Sequence, residues 1–235
     1  MSRPTPEGRT KANFGQAAKN LDLAGTRAVL LVSVGQRYHE GDKLQATVDL
    51  VNRSRFGHVT VAVADTLQRT NYPQLAPEEA HRHALREGER WLERNDKILG
   101  RLAVPSDVLR WDDALQDPAY PALRARVERA YREDPGYQEA VHATIGRFVD
   151  RRVARDPDTD VARAFDDCLA YLIEECPIIM PLWASQGYDH IIYPQPMTAA
   201  MSRTQRLFVS TEYPGKGGWL SLRFKKRATA SRPAA

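Results

Sequence analysis

The 235-residue sequence has few cysteines, no long apolar run and no apolar leader. Cys168 and Cys176 belong to a helix predicted over residues 161–176, which ends before a proline. About 12 Å along the helix axis would separate them, so no disulfide is expected between them. The longest apolar runs, at residues 28–32 and 177–184, are too short to span a bilayer, and the first residues lack the apolar core of a secretory signal. These absences predict a cytoplasmic protein that does not enter a membrane.

Several motifs that would indicate a particular chemistry are also missing. The sequence contains no Gly-x-x-x-x-Gly-Lys phosphate loop, no Gly-x-Gly-x-x-Gly fingerprint and no Cys and His set with the spacing of a zinc site. His81 and His83 are two residues apart on a predicted helix and therefore do not share a face. We expect neither a metal site nor a bound cofactor.

The composition is that of an ordinary folded protein. Hydrophobic residues make up 42% of the chain and charged residues 27%, which argues against an intrinsically disordered chain, and the length fits one large domain. We assign residues 1–26 to a polar N-terminal extension, residues 27–224 to a single domain, and residues 225–235 to a basic tail that we expect to be disordered. A monomer is expected.

The basic residues are unevenly distributed along the chain. The formal net charge is +4, but no acidic residue follows Glu212 and six basic residues do. Residues 1–212 hold 28 basic and 30 acidic residues and are slightly acidic. A polyanionic partner must therefore be sought in local patterns rather than in the total charge.

One such pattern lies in residues 77–102, which are predicted to form a single long helix. At about 100° per residue, the basic residues of this segment fall within one arc of roughly 120°, while apolar residues occupy another arc. The basic arc consists of Arg82, Arg86, Arg90, Arg94, Lys97 and Arg101. It is either a solvated face with ion pairs between successive turns, or a ladder of cations that follows a nucleic-acid backbone.

The order of strands and helices indicates the fold class. Residues 27–33 and 58–64 are continuous apolar runs of the kind that is buried on both faces of a parallel sheet, and helical segments alternate with them. This alternation predicts an α/β protein with a Rossmann-like, doubly wound, mainly parallel sheet and helices on both faces. Ligands of such sheets gather at the carboxyl ends of the strands, where Ser33 and Asp65 are found.

Three short patterns could carry chemistry. Ser33 lies in Leu-Val-Ser-Val-Gly, which has the serine and the second glycine of the Gly-x-Ser-x-Gly nucleophile elbow of serine hydrolases but lacks the first glycine. Taken alone, this serine would be expected to cap the helix that follows. Tyr171 and Glu175 are four residues apart on a predicted helix, where a phenol and a carboxylate on one face could hold an ammonium group or form an ordinary surface pair. Tyr193 and Pro194 alone indicate only a turn.

The order of these patterns, from about residue 27 to residue 202, resembles the cyclodipeptide synthases, whose fold is similar to the catalytic domain of class I aminoacyl-tRNA synthetases. The resemblance places the family's nucleophile on Ser33, its paired tyrosine and glutamate on Tyr171 and Glu175, and its late tyrosine on Tyr193. The Tyr-Pro pair is similar to one of the two branches of the family. Substrate contacts are expected at Leu31, Gly35, Gln36, Asp65, Trp111, Tyr120 and Pro194.

The resemblance also implies substrates and a mechanism. Two aminoacyl-tRNAs would be used without ATP, and the basic arc would bind at least the first tRNA through its phosphates. Ser33 would become aminoacylated, a second aminoacyl-tRNA would attack through its own amine to give a dipeptidyl-enzyme, and cyclisation would release a 2,5-diketopiperazine. Bulk at Leu31 and Trp111 favours a small first residue, alanine or glycine, and the second pocket is expected near Gln36 and Ala62.

Two alternatives stay open at this point. A tRNA-dependent transferase that passes the aminoacyl group to a different amine would use Ser33 and the basic helix equally well, so only the product separates it from a cyclodipeptide synthase. A non-catalytic tRNA-binding module would leave Tyr171, Glu175 and Tyr193 without a role.

Overall fold

A computed structural model of the chain describes residues 10–18 and 21–226, with the backbone alone at Ala17. The strands in this part of the chain are β1 (Thr10–Phe14), β2 (Arg27–Ser33), β3 (His58–Ala64), β4 (Ser106–Arg110), β5 (His190–Tyr193) and β6 (Gly218–Lys226). The α-helices are α1 (Gly41–Ser54), α2 (Pro77–Leu99), α3 (Trp111–Leu115), α4 (Tyr120–Glu133), α5 (Pro135–Val153), α6 (Val161–Pro177), α7 (Trp183–Ser185) and α8 (Ala199–Phe208). Short 3-10 helices cover Gln16–Ala18, Arg37–His39 and Thr66–Asn71, and a π-helix covers Ile178–Leu182.

The strands form one sheet in the order β1-β6-β5-β2-β3-β4. Strands β2 to β6 are parallel, and β1 runs antiparallel to β6 at one edge. The chain moves from β2 outward to β3 and β4 and then returns to the other side of β2 with β5 and β6. The carboxyl ends of β2 and β5 therefore form the switch point of the topology, which is where open α/β sheets bind their ligands. The predicted fold class is confirmed.

The central strands are buried on both faces, as their continuous apolar sequences predict. In β2, Val29 and Leu31 pack against the layer that contains α4, α5, α6 and α8, whereas Leu30 and Val32 pack against α1 and α2 on the opposite face. Because side chains alternate along a strand, Ser33 points to the same face as Leu31. The sheet thus directs Ser33 toward the larger helical layer.

The structure moves both predicted boundaries of the domain. Strand β1 lies inside the predicted polar extension, yet it pairs with β6 along its whole length and buries Ala12 completely. At the other end β6 continues to Lys226, two residues into the predicted tail. An edge strand needs few apolar residues, so the short pattern of β1 did not distinguish it from a loop. The predictions for residues 1–9, 19–20 and 227–235 lie outside the described residues.

The helix predicted to end before Pro177 continues beyond it. The π-helix and α7 follow α6 directly, so the helical path runs from Val161 to Ser185. A proline removes a helical N–H and crowds the preceding turn. Pro177 is the last residue of α6, and Pro181 lies in the π-helix, whose wider turn suits a proline. This 25-residue helix is long and apolar enough to span a membrane, but it lies inside the domain and packs against α4, α5 and α8.

Candidate active site

Ser33 ends β2 at the switch point, next to Tyr193, which ends β5. Three hydroxyl groups form a chain here: Ser33 Oγ is 3.1 Å from the Tyr193 hydroxyl, which is 2.9 Å from the Tyr38 hydroxyl. Tyr38 belongs to the 3-10 helix that follows the turn at Gly35. The φ angle of Gly35 is +85°, a conformation that glycine adopts without steric cost, so the chain can turn sharply enough to bring Tyr38 back over the serine.

The ring of Tyr193 is fixed from two sides. Pro194 is buried and restricts the preceding residue to an extended backbone, which keeps Tyr193 in the line of β5. The ring makes edge-to-face contacts with Tyr38, at 6.0 Å between centroids, and with Trp219, at 5.7 Å. The predicted Tyr-Pro pair therefore orients a hydroxyl group toward Ser33.

Tyr171 and Glu175 lie on one face of α6, opposite the hydroxyl chain. Burial raises the pKa of Tyr38, Tyr171 and Tyr193, and the nearby Glu175 carboxylate raises each of these pKa values further. The Tyr171 hydroxyl also accepts a hydrogen bond from Gln68 Nε2 at 3.4 Å. The structure thus brings the four predicted catalytic residues around one space.

The electrostatics of Glu175 suit an amine ligand. Burial, and secondarily the charge of Glu174, raise the pKa of Glu175 to about 8. An ordinary α-amino group has a pKa of about 7.7–8.0, so the raised pKa of Glu175 brings the carboxyl group into the range in which an amine titrates. A carboxyl group of this kind can bind an ammonium group as its counter-ion or take its proton.

A buried ion pair supports the wall behind these residues. The carboxylate of Glu174 binds the Arg69 guanidinium with both oxygens, one of them at 2.8 Å from Arg69 Nη1, and accepts a hydrogen bond from Trp111 Nε1 at 2.9 Å. Trp111 is fully buried, and Tyr120 packs in the same cluster. Burial raises the pKa of Tyr120, as does the Glu174 charge, which places this phenol near the ion pair. The ion pair therefore fixes the orientation of the Trp111 indole.

Two further predicted substrate contacts, Leu31 and Gln36, differ in their burial. Leu31 is buried one pleat below Ser33 on the same face of the sheet, and it pairs in register with Ala62 of β3. Gln36 is exposed in the turn after Gly35. Ala62 is buried whereas Gln36 is exposed, and the second pocket expected near these two residues stays a prediction.

The structure also corrects the role expected for Asp65. Its side chain is fully buried, accepts the Thr66 N–H at 2.7 Å and forms an ion pair with Arg110. Gly88 of α2 packs so closely that a Cβ atom there would collide with the Asp65 carboxylate. Asp65 therefore holds α2 against β3 and leaves no surface for a substrate.

Comparison with known proteins decides the family. A family model described as cyclodipeptide synthase matches residues 12–184. The chain belongs to the cyclodipeptide synthase family. Members of this family are tRNA-dependent enzymes that make cyclodipeptides, and the arrangement of Ser33, Tyr171, Glu175 and Tyr193 lies within the matched segment or directly after it.

Solved structures agree with this assignment. A cyclodipeptide synthase from Fluoribacter dumoffii is 34% identical to the chain, with 94% of this chain and 100% of that chain covered and a TM-score of 0.88. A synthase from Candidatus Glomeribacter gigasporarum, solved with Phe-tRNA bound, is 19% identical over 94% and 97% of the two chains, with a TM-score of 0.73. A Mycobacterium tuberculosis protein, 17% identical over 97% and 99% with a TM-score of 0.63, is described as relating cyclodipeptide synthetases to type I tRNA synthetases. Among curated proteins, no sequence match is found.

Sequence reasoning missed two polar residues of the synthase site. Tyr38 follows the strand-end serine by five residues across a glycine turn, and this proximity was a usable signal. Gln68 lies in a short 3-10 helix after β3, and no motif marks it. Membership of the Tyr-Pro branch of the synthases stays a prediction.

Helix α2 of the synthase exposes most of the predicted basic arc. Its five cations are all exposed, but some bind neighbouring carboxylates: Arg90 pairs with Glu87, and Arg94 pairs with Glu40. Arg101 lies beyond the end of the helix and binds Gln45 and Asp49 of α1. Ion pairs therefore account for part of the arc, and its role as a ladder of cations along a nucleic-acid backbone stays a prediction. The arginines and lysine on the helix are Arg82, Arg86, Arg90, Arg94 and Lys97.

A second cationic surface, which sequence reasoning missed, lies on the β1–β6 pair. Only the first four residues of β6 pair with β5, so the rest of β6 extends past the carboxyl end of β5, on the side of Ser33. Lys11 lies directly opposite Lys225, and Arg223 is the next residue on the same face of β6. All three side chains are exposed, and like charges placed opposite one another repel, so this face suits an anionic partner. We call it the β1–β6 basic face.

No metal-binding cluster accompanies these features. Within residues 10–18 and 21–226, no three His, Cys, Asp or Glu side chains are arranged to hold a metal ion.

Proposed function

We propose that this chain makes a 2,5-diketopiperazine from two aminoacyl-tRNAs by a ping-pong mechanism on Ser33, without ATP. The observation that carries the proposal is the hydroxyl chain from Ser33 through Tyr193 to Tyr38, which faces Glu175 and Tyr171 across the switch point. The ester of an aminoacyl-tRNA is already activated, so acyl transfer needs no further energy source. We propose the cytoplasm as the location because aminoacyl-tRNAs are available there.

In the first step Ser33 Oγ attacks the ester carbonyl of the first aminoacyl-tRNA. The bond from that carbonyl carbon to the ribose oxygen breaks, and the tRNA leaves. Tyr193 lies 3.1 Å from Ser33 Oγ and, as a neutral phenol, accepts the serine proton while passing its own proton to the departing ribose oxygen. Tyr38, hydrogen-bonded to Tyr193, holds that phenol in place. The product is an aminoacyl-Ser33 ester.

The second step forms the peptide bond. Atom balance shows that the attack must run in the opposite direction from the one given above, in which the amine of the second aminoacyl-tRNA was the attacking group. If the amine of the second substrate attacked the seryl ester, Ser33 would be released and the dipeptide would remain on the tRNA. A dipeptidyl-enzyme instead requires that the amine on Ser33 attack the ester of the second aminoacyl-tRNA. Glu175 holds the one proton that it shares with that amine, so the amine attacks in its neutral form. The peptide bond forms, and the second tRNA leaves with one of the amine protons on its ribose oxygen.

The third step closes the ring. The free amine of the newly added residue attacks the seryl ester carbonyl, the bond to Ser33 Oγ breaks, and the serine oxygen recovers a proton through Tyr193. Glu175 and Tyr171 lie next to the amine of the first residue in the second step, so they also orient the acyl chain for this reaction.

The wall of the site favours a small first amino acid. Leu31 occupies the position directly below Ser33, and Glu174 holds the fully buried Trp111 in a fixed orientation. Neither side chain can move away without leaving a buried polar group unpaired or opening a cavity in the core. Alanine or glycine is the first residue that we propose.

Two cationic surfaces are available for the tRNA substrates. The β1–β6 basic face extends past the carboxyl end of β5, where the site lies, and its cations have no ion pairs among the described residues. The basic arc of α2 retains Arg82, Arg86 and Lys97 without ion pairs in the same part of the chain. We propose that phosphates of the acceptor arm bind to the β1–β6 basic face as well as to this arc.

Mass spectrometry of the medium of bacteria that express this chain, beside the Ser33→Ala variant, tests the proposal. Cyclic dipeptides that appear with the native chain and not with the variant would support the reaction and name both amino acids. An aminoacyl group found on a different amine would point to another transferase. Soluble protein without either product would point to a non-catalytic tRNA-binding module.

A further inference from the structure

A buried histidine next to the nucleophile has no role in the steps above. His39 is 2% exposed, and its Nδ1 accepts a hydrogen bond from the Ser33 N–H at 2.8 Å. Nδ1 also lies 3.3 Å from the Ser33 carbonyl oxygen, but a proton on Nδ1 would leave the buried Ser33 N–H without its acceptor at the shorter distance. We therefore place the proton of the neutral imidazole on Nε2. Nε2 is buried and has no hydrogen-bond partner among the described residues. Burial also lowers the pKa of His39 to about 3, so the ring stays neutral at physiological pH.

The sheet explains why Ser33 needs such a partner. Strand β2 pairs with β3 as far as Ser33, but it pairs with β5 only as far as Leu30. The backbone of the serine therefore extends three residues past its last pairing with β5. A buried N–H without an acceptor is costly, and the imidazole supplies the acceptor that β5 does not provide.

The same ring contacts the other two members of the hydroxyl chain. Its centroid lies 4.7 Å from that of Tyr38 and 5.6 Å from that of Tyr193, both in edge-to-face geometry. The backbone of His39 is held in turn by α2, because Trp91 Nε1 donates a hydrogen bond to the His39 carbonyl at 3.0 Å. One side chain thus touches the serine backbone and both phenol rings.

We propose that His39 is the positioning residue of the site: through Ser33 N–H and the two phenol rings, it holds the nucleophile and its proton relay in line. This role rests on the proposed acylation of Ser33. It also has a consequence for the transition state, since a Ser33 N–H that donates to His39 is not free to stabilise the oxyanion. The negative charge must therefore be stabilised by other donors.

Two variants of His39 separate positioning from packing. His39→Phe keeps an aromatic ring but removes the acceptor, so we expect acylation of Ser33 in a single turnover to slow about 10- to 100-fold, with the Kd for aminoacyl-tRNA unchanged within about twofold. His39→Asn places Oδ1 where Nδ1 was, and we expect it to restore the acylation rate to within about fivefold of the native rate. His142→Phe, at an exposed histidine of α5, is the matched control and should acylate normally.

These experiments test the positioning role of His39 separately from the proposed acylation of Ser33. A His39→Phe variant that acylates at the native rate, or a His39→Asn variant as slow as His39→Phe, would overturn the positioning role. If the native chain forms no acyl-serine at all, the proposed function fails. Nitrogen-15 NMR of histidine-labelled native protein then still tests the geometry. A proton on Nε2 throughout pH 6–8 supports it, and a proton on Nδ1 or titration near pH 6.5 contradicts it.

Discussion

Replacing Glu175 by glutamine should make the protein more stable and inactive at the same time. Burial and the Glu174 charge raise the pKa of Glu175 to about 8, well above the ordinary 4.5 of a glutamate. The unfolded chain releases this proton near pH 4.5, whereas the folded protein keeps it until about pH 8. The folded state therefore loses stability relative to the unfolded state as the pH rises between these values. Glutamine has no proton to release, so the variant escapes this loss.

The size of the effect follows from the pH interval. At about 1.4 kcal/mol for each pH unit between 4.5 and 7, the upper limit at pH 7 is roughly 3 kcal/mol. Because Glu175 is only partly buried, solvent screens its charge, and we expect about 1–2 kcal/mol. For a chain of this length that corresponds to an increase in Tm of about 2–6 °C.

Thermal unfolding at pH 5.5 and pH 7.5 measures this effect. The Tm of Glu175→Gln should exceed that of the native protein by more at pH 7.5 than at pH 5.5, because the loss of stability that the native carboxyl group causes begins near pH 4.5 and grows until about pH 8. Glu139→Gln, at an exposed position of α5, is the control and should show no such difference. An equal Tm difference at both pH values would refute the raised pKa. The variant should also accumulate aminoacyl-Ser33 without cyclic product, since glutamine cannot take the ammonium proton.

Three further predictions concern the relay, the pocket and the RNA surface. Tyr193→Phe should slow the acylation of Ser33 about 10²- to 10⁴-fold in a single-turnover assay, and Tyr38→Phe should slow it less; equal rates for both variants would contradict the proton relay. Leu31→Gly should admit larger first residues, seen as new cyclic dipeptide masses, and an unchanged product set would argue against the small pocket. Two triple-alanine variants, measured by mobility shift over a range of salt concentrations, should each lower the slope of log K for tRNA binding against log salt concentration by about 2–3 in magnitude. An unchanged slope in either variant would show that its surface does not bind tRNA phosphates. The triples are Lys11, Arg223 and Lys225, and Arg82, Arg86 and Lys97.

The central part of the fold could be predicted from the sequence because its signals are local. The continuous apolar runs predicted β2 and β3 with their observed bounds, and the amphipathic pattern of residues 77–102 predicted α2, which ends three residues earlier, at Leu99. The edge strand β1 could not be predicted, since its pairing with β6 joins residues more than two hundred positions apart. The helix past Pro177 was missed because a local rule about proline takes no account of a π turn.

The site residues also divide into those that local sequence signals predict and those that they do not. Ser33, Tyr171, Glu175 and Tyr193 could be named because their order along the chain carries a family pattern. Asp65 was misassigned because its position at a strand end is visible in the sequence, whereas its ion pair with Arg110 is not. The contact of a histidine ring with a serine backbone likewise depends on where β5 stops pairing with β2, and only the three-dimensional arrangement shows it.

The central claim is that Ser33 carries the aminoacyl group, and intact-mass analysis tests it most directly. The protein is mixed with one kind of aminoacyl-tRNA, quenched with acid within a single turnover, and digested for peptide mapping. We expect the mass to rise by one aminoacyl residue, with the added group on the peptide that contains Ser33, and no increase in the Ser33→Ala variant. An adduct on a different residue, or cyclic dipeptide formed by the Ser33→Ala variant, would contradict the account.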